Sequence, residues 1–258
     1  MKKLFIYIII SCLLNSSNIL MAQFGFLDPT FGEGGLSMVQ IGYDNYSKVI
    51  FQSNGKITCT GNSFVIDRYT NDGSIDLSFG LKGRLFLTNK PGYAIGLAEF
   101  KNSNYIVTGW FVNSGSNYDI LTIKTKSDGS IDSSFGKNGI VTMDIDNYDY
   151  SEAMTIQTDE KIIVVGELGK NEYDDLRIFI ARFKPDGNID SSFGENGHVV
   201  TKFDKEVACE SVALQDDGKI LVGGTYNLFA MQPAYYVARY NPDGSKDNSF
   251  GDQGIAQY

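Results

Sequence analysis

The chain has 258 residues, with 28 glycines, only 5 prolines, 13% aromatic residues and a formal net charge of −9. This aromatic, glycine-rich composition argues against disorder and for strands joined by tight turns, and the length suffices for one large all-β domain. The acidity argues against nucleic acid or anionic lipid as a partner, and one histidine with three cysteines leaves no cluster for zinc.

Residues 1–22 read as a secretory signal. Lys2 and Lys3 give a positive start, Leu4 to Leu14 is apolar but too short to span a bilayer, and Leu20-Met21-Ala22 ends in a small residue. Cleavage is expected after Ala22, with export to the medium or the cell surface. The alternative is lipoprotein anchoring at Cys12, since Ile9-Ile10-Ser11-Cys12 resembles a lipobox. No second segment is expected to span a membrane. Cys59 and Cys209 read as buried apolar residues, although an exported protein could pair them.

Beyond the leader, short runs rich in valine, isoleucine, tyrosine and phenylalanine alternate with turn residues, and no helical periodicity occurs. The first runs are Leu36 to Ile41, one ending at Gln52, one ending at Gly61, and Val65 to Tyr69. The string DGSIDLSFG follows at 72–80. The same order recurs with DGSIDSSFG at 128–136, DGNIDSSFG at 186–194 and DGSKDNSFG at 243–251, and a shortened DPTFG stands at 28–32. Successive FG glycines are 48, 56, 58 and 57 residues apart. The units fall at about 35–82, 83–138, 139–196 and 197–253, with an extra strand at 254–258. Four antiparallel strands per unit cannot bury both faces of one sheet. Stacking sheets around an axis solves this, which predicts an all-β propeller, or a propeller-like arc of four repeats. A solenoid of sheets is the structural rival.

The motif reads as a clamp. Asp-Gly makes a tight turn. The second aspartates (Asp76, Asp132, Asp190, Asp247) can cap backbone N–H groups, and Phe79, Phe135, Phe193 and Phe250 are expected to plug the gaps between sheets. Gly80, Gly136, Gly194 and Gly251 allow close packing. The DGSIDSSFGKNGIVT pattern, with DGKILVGG and VARYNPDG, resembles the delta-60 repeats, a family of bacterial secreted repeats grouped with β-propeller-like domains. That resemblance spans nearly all of the chain beyond the leader. It implies a fold and an extracellular setting, and no catalytic residues.

No catalytic motif, phosphate loop, metal site or cofactor is expected. His198 merely begins a repeat strand, and the motif aspartates fall short of a calcium loop. In an up-and-down sheet the short repeated turns share one face and the irregular loops share the other. The irregular face gathers Tyr43, Asp44, Tyr46, Tyr118, Tyr148, Asp149, Tyr150, Tyr173, Asp174 and Tyr226, with Asp175 beside them. These are candidate ligand residues for a protein or glycan, as in an adhesive scaffold. The rivals are a glycan hydrolase or lyase, which needs converging buried carboxylates, and a structural spacer without a ligand. Self-association to complete a propeller is a further possibility.

Overall fold

The computed structural model describes residues 27–37, 45–113, 117–171, 175–227 and 230–257. These contain sixteen strands, one 3-10 turn (Lys101–Ser103) and no α-helix. The strands form four antiparallel meanders. The first comprises β1 (Tyr46–Phe51), β2 (Ile57–Gly61), β3 (Val65–Tyr69) and β4 (Arg84–Phe86). The second comprises β5 (Gly92–Phe100), β6 (Asn104–Val112), β7 (Tyr118–Thr125) and β8 (Ile140–Met143). The third comprises β9 (Tyr148–Ile156), β10 (Ile162–Gly169), β11 (Arg177–Phe183) and β12 (His198–Lys202). The fourth comprises β13 (Val207–Leu214), β14 (Ile220–Tyr226), β15 (Ala234–Tyr240) and β16 (Ile255–Gln257). A single parallel bridge, Tyr118 to Tyr148, ties the second meander to the third.

The fold is a β-propeller-like stack of four blades. Three apolar layers separate them. Phe64, Ile66 and Phe79 meet Leu97, Tyr105, Val107 and Leu121 between the first two blades. Ile106, Ile120 and Phe135 meet Ile162, Val164 and Phe179 at the second seam. Ile163, Ile180 and Phe193 meet Ile220, Val222 and Tyr236 at the third. The first strands β1, β5, β9 and β13 neighbour one another in that order, so they line the inner edge of the stack.

The blades are out of phase with the sequence units. The run after each FG motif does not open a new sheet. It turns back and pairs with the strand before the Asp-Gly turn, as Ile66 pairs with Leu85 and Val237 with Ala256. The motif itself reverses the chain. Asp76 N–H donates to Arg68 carbonyl at 2.8 Å and Gly83 N–H to Phe79 carbonyl at 2.8 Å, which leaves the next strand antiparallel to the last. The expected extra strand at the C-terminus is thereby the fourth strand of the fourth blade. In the N-terminal run, Leu36 makes only an isolated bridge to Glu33, and 38–41 lie outside the described residues.

The motif ties each blade to the next. Phe79, Phe135 and Phe193 are fully buried. Each lies against the Asp-Gly turn of the following blade, at Gly129, Gly187 and Gly244. Those turns can take no side chain: a methyl added at Gly187 would lie 2.7 Å from the backbone nitrogen of Gly136, and the residue sits at φ +85°. Gly136 N–H donates to Asp186 carbonyl at 2.7 Å and Gly194 N–H to Asp243 carbonyl at 2.8 Å. Burying one such phenylalanine contributes about 2–3 kcal/mol.

A basic residue eight positions before each motif aspartate completes the clamp. Arg68 reaches Asp76 at 2.8 Å, Lys124 reaches Asp132 at 3.3 Å, Arg182 reaches Asp190 at 2.9 Å and Arg239 reaches Asp247 at 2.8 Å. Lys56 adds a second cation at 2.5 Å from Asp76, and Lys219 one at 3.2 Å from Asp247. Each aspartate also accepts the backbone N–H two residues on, from Ser78, Ser134, Ser192 and Ser249. Burial by itself would raise the Asp190 carboxyl. Bonds from Ser192 and the charge of Arg182 hold it below its ordinary range instead.

Candidate functional site

In every blade the tight β1–β2-type turn and the motif lie at one end of the sheet, and the β2–β3-type turns and blade-to-blade loops lie at the other. The irregular end holds an aromatic cluster at the second seam. Tyr93 begins β5, Trp110 lies near the end of β6, Tyr118 opens β7, and Tyr148 and Tyr150 stand at the start of β9. Cross-strand pairing puts Tyr93 directly opposite Trp110.

The rings are continuous. Trp110 lies 4.8 Å from Tyr93, 5.2 Å from Tyr118 and 4.5 Å from Tyr150, centroid to centroid. Tyr148 closes the group at 4.8 Å from Tyr118 and 4.4 Å from Tyr150. Tilted and edge-on pairs at these separations suit the ring quadrupoles. Tyr93 is 42% exposed, and the other four rings are partly exposed, so the cluster presents a partly open aromatic surface. Burial, followed by the Tyr148 and Tyr118 hydroxyls, pushes the Tyr150 phenol up, so it stays a neutral donor.

Acidic groups border the cluster. Tyr150 pairs across strands with Glu167. The inner strands of all four blades carry a bulge at the same level, which turns out Ser47, Ile95, Glu152 and Glu210. Burial, with repulsion from Glu210, raises Glu152 to about 7. Glu167 is also raised to about 7, by burial and then by Glu152 and Glu210, although the Cys209 N–H that it accepts opposes this. Tyr236 is 1% exposed, and its hydroxyl makes no hydrogen bond.

The residues singled out from sequence divide into three groups. Tyr118, Tyr148 and Tyr150 come together in the cluster. Tyr46, Asp149 and Tyr226 serve their own surroundings. Tyr46 donates to Asp67, which also takes two bonds from Arg84 at 2.6 and 2.7 Å. Asp149 is fully buried and accepts the N–H groups of Ile145 and Asp146, at 2.6 and 3.0 Å, so it shapes the loop before β9 and offers nothing to a ligand. Burial, then Asp144 and Asp119, raises it to about 7 against those bonds. Tyr226 donates to Asp204 at 2.6 Å, away from the cluster. Tyr43, Asp44, Tyr173 and Asp174 lie outside the described residues. The tyrosines that the structure describes sit on strand ends rather than in loops.

Trp110 and Tyr93 were not singled out from sequence, yet they centre the site. A signal existed: Trp110 follows a repeated glycine where the other units have Asn62, Glu167 and Thr225. His198 leaves its Nδ1 buried without a hydrogen bond. Among the described residues no group of histidine, cysteine, aspartate and glutamate could hold a metal ion, and no helix is long and apolar enough to cross a membrane. Cys59 and Cys209 are both buried and unpaired.

Three segments, 104–135, 157–193 and 215–250, match the family described as "Domain of unknown function (DUF5122) beta-propeller". Each match begins at or just before the second strand of a blade and ends at or near the motif phenylalanine. No curated protein matches the chain. Among solved structures, a protein of unknown function from Bacteroides caccae is similar at 11% identity and TM-score 0.45, over 84% of this chain and 88% of that one. An α-L-arabinofuranosidase (CtGH43) from Clostridium thermocellum is similar at 13% identity and TM-score 0.41, over 77% of this chain and 70% of that one.

Proposed function

We propose that the chain is an exported, non-catalytic β-propeller-like scaffold of the delta-60 kind that binds a glycan on the Tyr93–Trp110–Tyr118–Tyr148–Tyr150 surface. The observation that carries this reading is the unbroken contact of five rings on strand ends, each ring partly exposed and Tyr93 the most so, at 42%. Flat aromatic faces accept the C–H faces of sugar rings, and tyrosine hydroxyls answer sugar hydroxyls. Holding the rings on strands lowers the ordering cost of binding. A scaffold of this kind suits adhesion to a polysaccharide surface.

Trp110 is the only tryptophan in the chain, so its fluorescence reports on this surface directly. Titration with soluble polysaccharides of different backbones should shift its emission for at least one, and affinity electrophoresis should show retardation by the same polymer. Absence of both across neutral and acidic polysaccharides would refute the glycan reading.

A second reading has its own observation. Glu152 and Glu167, both raised to about 7, lie beside Tyr150, and a raised carboxyl is what a general acid needs. In this reading the bound polymer is also cleaved. Release of reducing ends by the native chain, and its loss in Glu167→Gln, would replace the binding-only reading.

A further inference from the structure

The seam between the third and fourth blades differs from the other two at its inner edge. The bulge of β9 turns out Glu152 and the bulge of β13 turns out Glu210, where the first two blades have Ser47 and Ile95. β9 and β13 are neighbours, so the two glutamates stand on adjacent inner strands. Glu167 joins them from β10 and accepts the Cys209 N–H across the seam at 2.5 Å. The three carboxyl groups act on one another by repulsion. Among the described residues no lysine or arginine is ion-paired with any of them, whereas each motif aspartate has such a partner. The group opens to solvent at Glu210, which is exposed and accepts the Thr225 hydroxyl at 2.6 Å.

A buried donor is directed at the same place. Tyr236 lies opposite Gly224, and Gly224 lies opposite Cys209, so the three form one row across β15, β14 and β13. With no side chain on the middle residue, the Tyr236 phenol comes within the influence of Cys209, Glu167 and Glu210. The residue is 1% exposed, and its hydroxyl has no hydrogen-bond partner. Val65, Leu121 and Phe179 fill the matching place in the other blades, so packing alone does not call for a hydroxyl here. A buried donor without an acceptor is costly and rare. Three carboxyl groups beside one such donor are the complement of a ligand that brings an ammonium group and a hydroxyl oxygen. The carboxyl groups do not converge as a metal ion requires. An ammonium group is served by acceptors that stand apart, because its three N–H bonds point in separate directions.

We propose that Glu152, Glu167 and Glu210, with Tyr236, form a subsite for the ammonium group of an amino sugar, and that the bound glycan is a polysaccharide with free amines. This rests on the glycan reading above and names its substrate class. Tyr150 makes the connection. It belongs to the ring cluster and stands directly opposite Glu167 on the neighbouring strand, with about 5 Å between Cβ atoms. A sugar lying on the rings is thereby held next to the carboxyl groups, where charge-assisted hydrogen bonds fix its amine.

The test is calorimetric titration of the full chain at pH 6 with glucosamine oligosaccharides and with the same oligosaccharides N-acetylated, in two buffers of different ionisation enthalpy. The free-amine form should bind roughly ten-fold tighter. Its binding should release protons, because Glu152 and Glu167 sit near 7 in the free chain and an ammonium partner favours their ionised forms. Cys209, Tyr236 and Tyr150 face the same space and stay neutral at that pH, since burial raises all three. Glu167→Gln should bring the free-amine form down to the affinity of the acetylated form and cut the proton release. Glu210→Gln, on an exposed side chain, should have the same effect in smaller measure. Equal affinity for the two forms, with Trp110 emission still shifted by both, overturns the amine subsite and leaves the glycan reading standing. Binding of neither form overturns the subsite too, and the glycan reading is then decided by the neutral and acidic polymers. A preference that survives Glu167→Gln combined with Glu210→Gln is the general pull of an acidic chain on a cation, and overturns the subsite as well.

Discussion

Arg182 donates to Asp190 at 2.9 Å while its guanidinium covers the Phe193 ring at 4.5 Å and its Nη1 reaches the Pro242 carbonyl at 2.6 Å. One side chain thus fixes the motif of its own blade, backs the plug and bonds to the next blade. Both partners are almost fully buried, at 7% and 5% side-chain exposure. Arg182→Ala leaves the buried Asp190 carboxylate with Lys161, at 3.6 Å, as its remaining cation and should cost about 3 kcal/mol, read as a lower denaturation midpoint in urea. Arg182→Lys should lose clearly less, because Lys124 fills the equivalent place in the second blade. Equal losses for the two variants would show that the fork geometry, and not the charge, is what matters.

The socket glycines should be intolerant of any side chain. Gly187→Ala forces alanine to φ +85° and sets its methyl 2.7 Å from the Gly136 nitrogen. The conformation alone costs about 1–2 kcal/mol, and the clash with backbone adds to it. Gly55→Ala is the control, since φ +81° imposes a like strain with nothing within 4 Å. Thermal unfolding should place Gly187→Ala well below Gly55→Ala.

Stability should have an optimum on the acid side of neutrality. Glu152 and Glu167 are raised from an ordinary 4.5 to about 7. Their charged forms are penalised in the folded state, so the penalty is complete above about pH 7 and fades as pH falls toward 4.5. Asp76, Asp132 and Asp190 are lowered from 3.8, so their contribution is present above that value and lost as pH falls below it. The melting temperature should rise from pH 8 to about pH 5 and then fall. Glu152→Gln with Glu167→Gln should shrink the upper limb to the part that Asp149, also raised to about 7, contributes, and leave the acid limb in place; an unchanged upper limb would assign it to other groups.

Within the glycan reading, Trp110→Ala should cost about 2 kcal/mol of binding, roughly thirty-fold, as for a buried aromatic anchor. Tyr93→Ala, at the open edge, should cost less. Retention on the polysaccharide identified by Trp110 fluorescence measures both.

The thiols should be inert in the folded chain. Burial, then Asp67, pushes Cys59 up to about 11, and burial holds Cys209 well above its ordinary value. A thiol reagent should label neither until denaturant is added, and then both.

Much of this architecture is legible in the sequence because the repeat restates it. Strand runs, Asp-Gly turns and the plug phenylalanines recur at matching intervals. The phase of the blades is not legible in that way, since periodicity gives the length of a unit and not where one sheet stops. Hydrogen bonds inside the motif decide that, by sending Arg84 back to pair with Asp67. The clamp was readable as a basic residue eight positions before each motif aspartate. It is obscured because arginine and lysine alternate with apolar residues and pass for solvent-facing strand positions. Tyr118, Tyr148 and Tyr150 stand out by composition. Trp110 does not, because an aromatic residue inside a strand reads as core, and only its mismatch with Asn62, Glu167 and Thr225 marks it.

Since Phe79, Phe135 and Phe193 are each encoded between the third and fourth strands of one blade and seated against the next, the stretch that is duplicated along the chain is not the stretch that packs as a body. Insertion or loss of a whole repeat, at any homologous point, leaves each remaining socket filled. Such a gene can lengthen or shorten by unequal recombination without passing through a broken interface, and the reach of the particle can change while its joints stay the same.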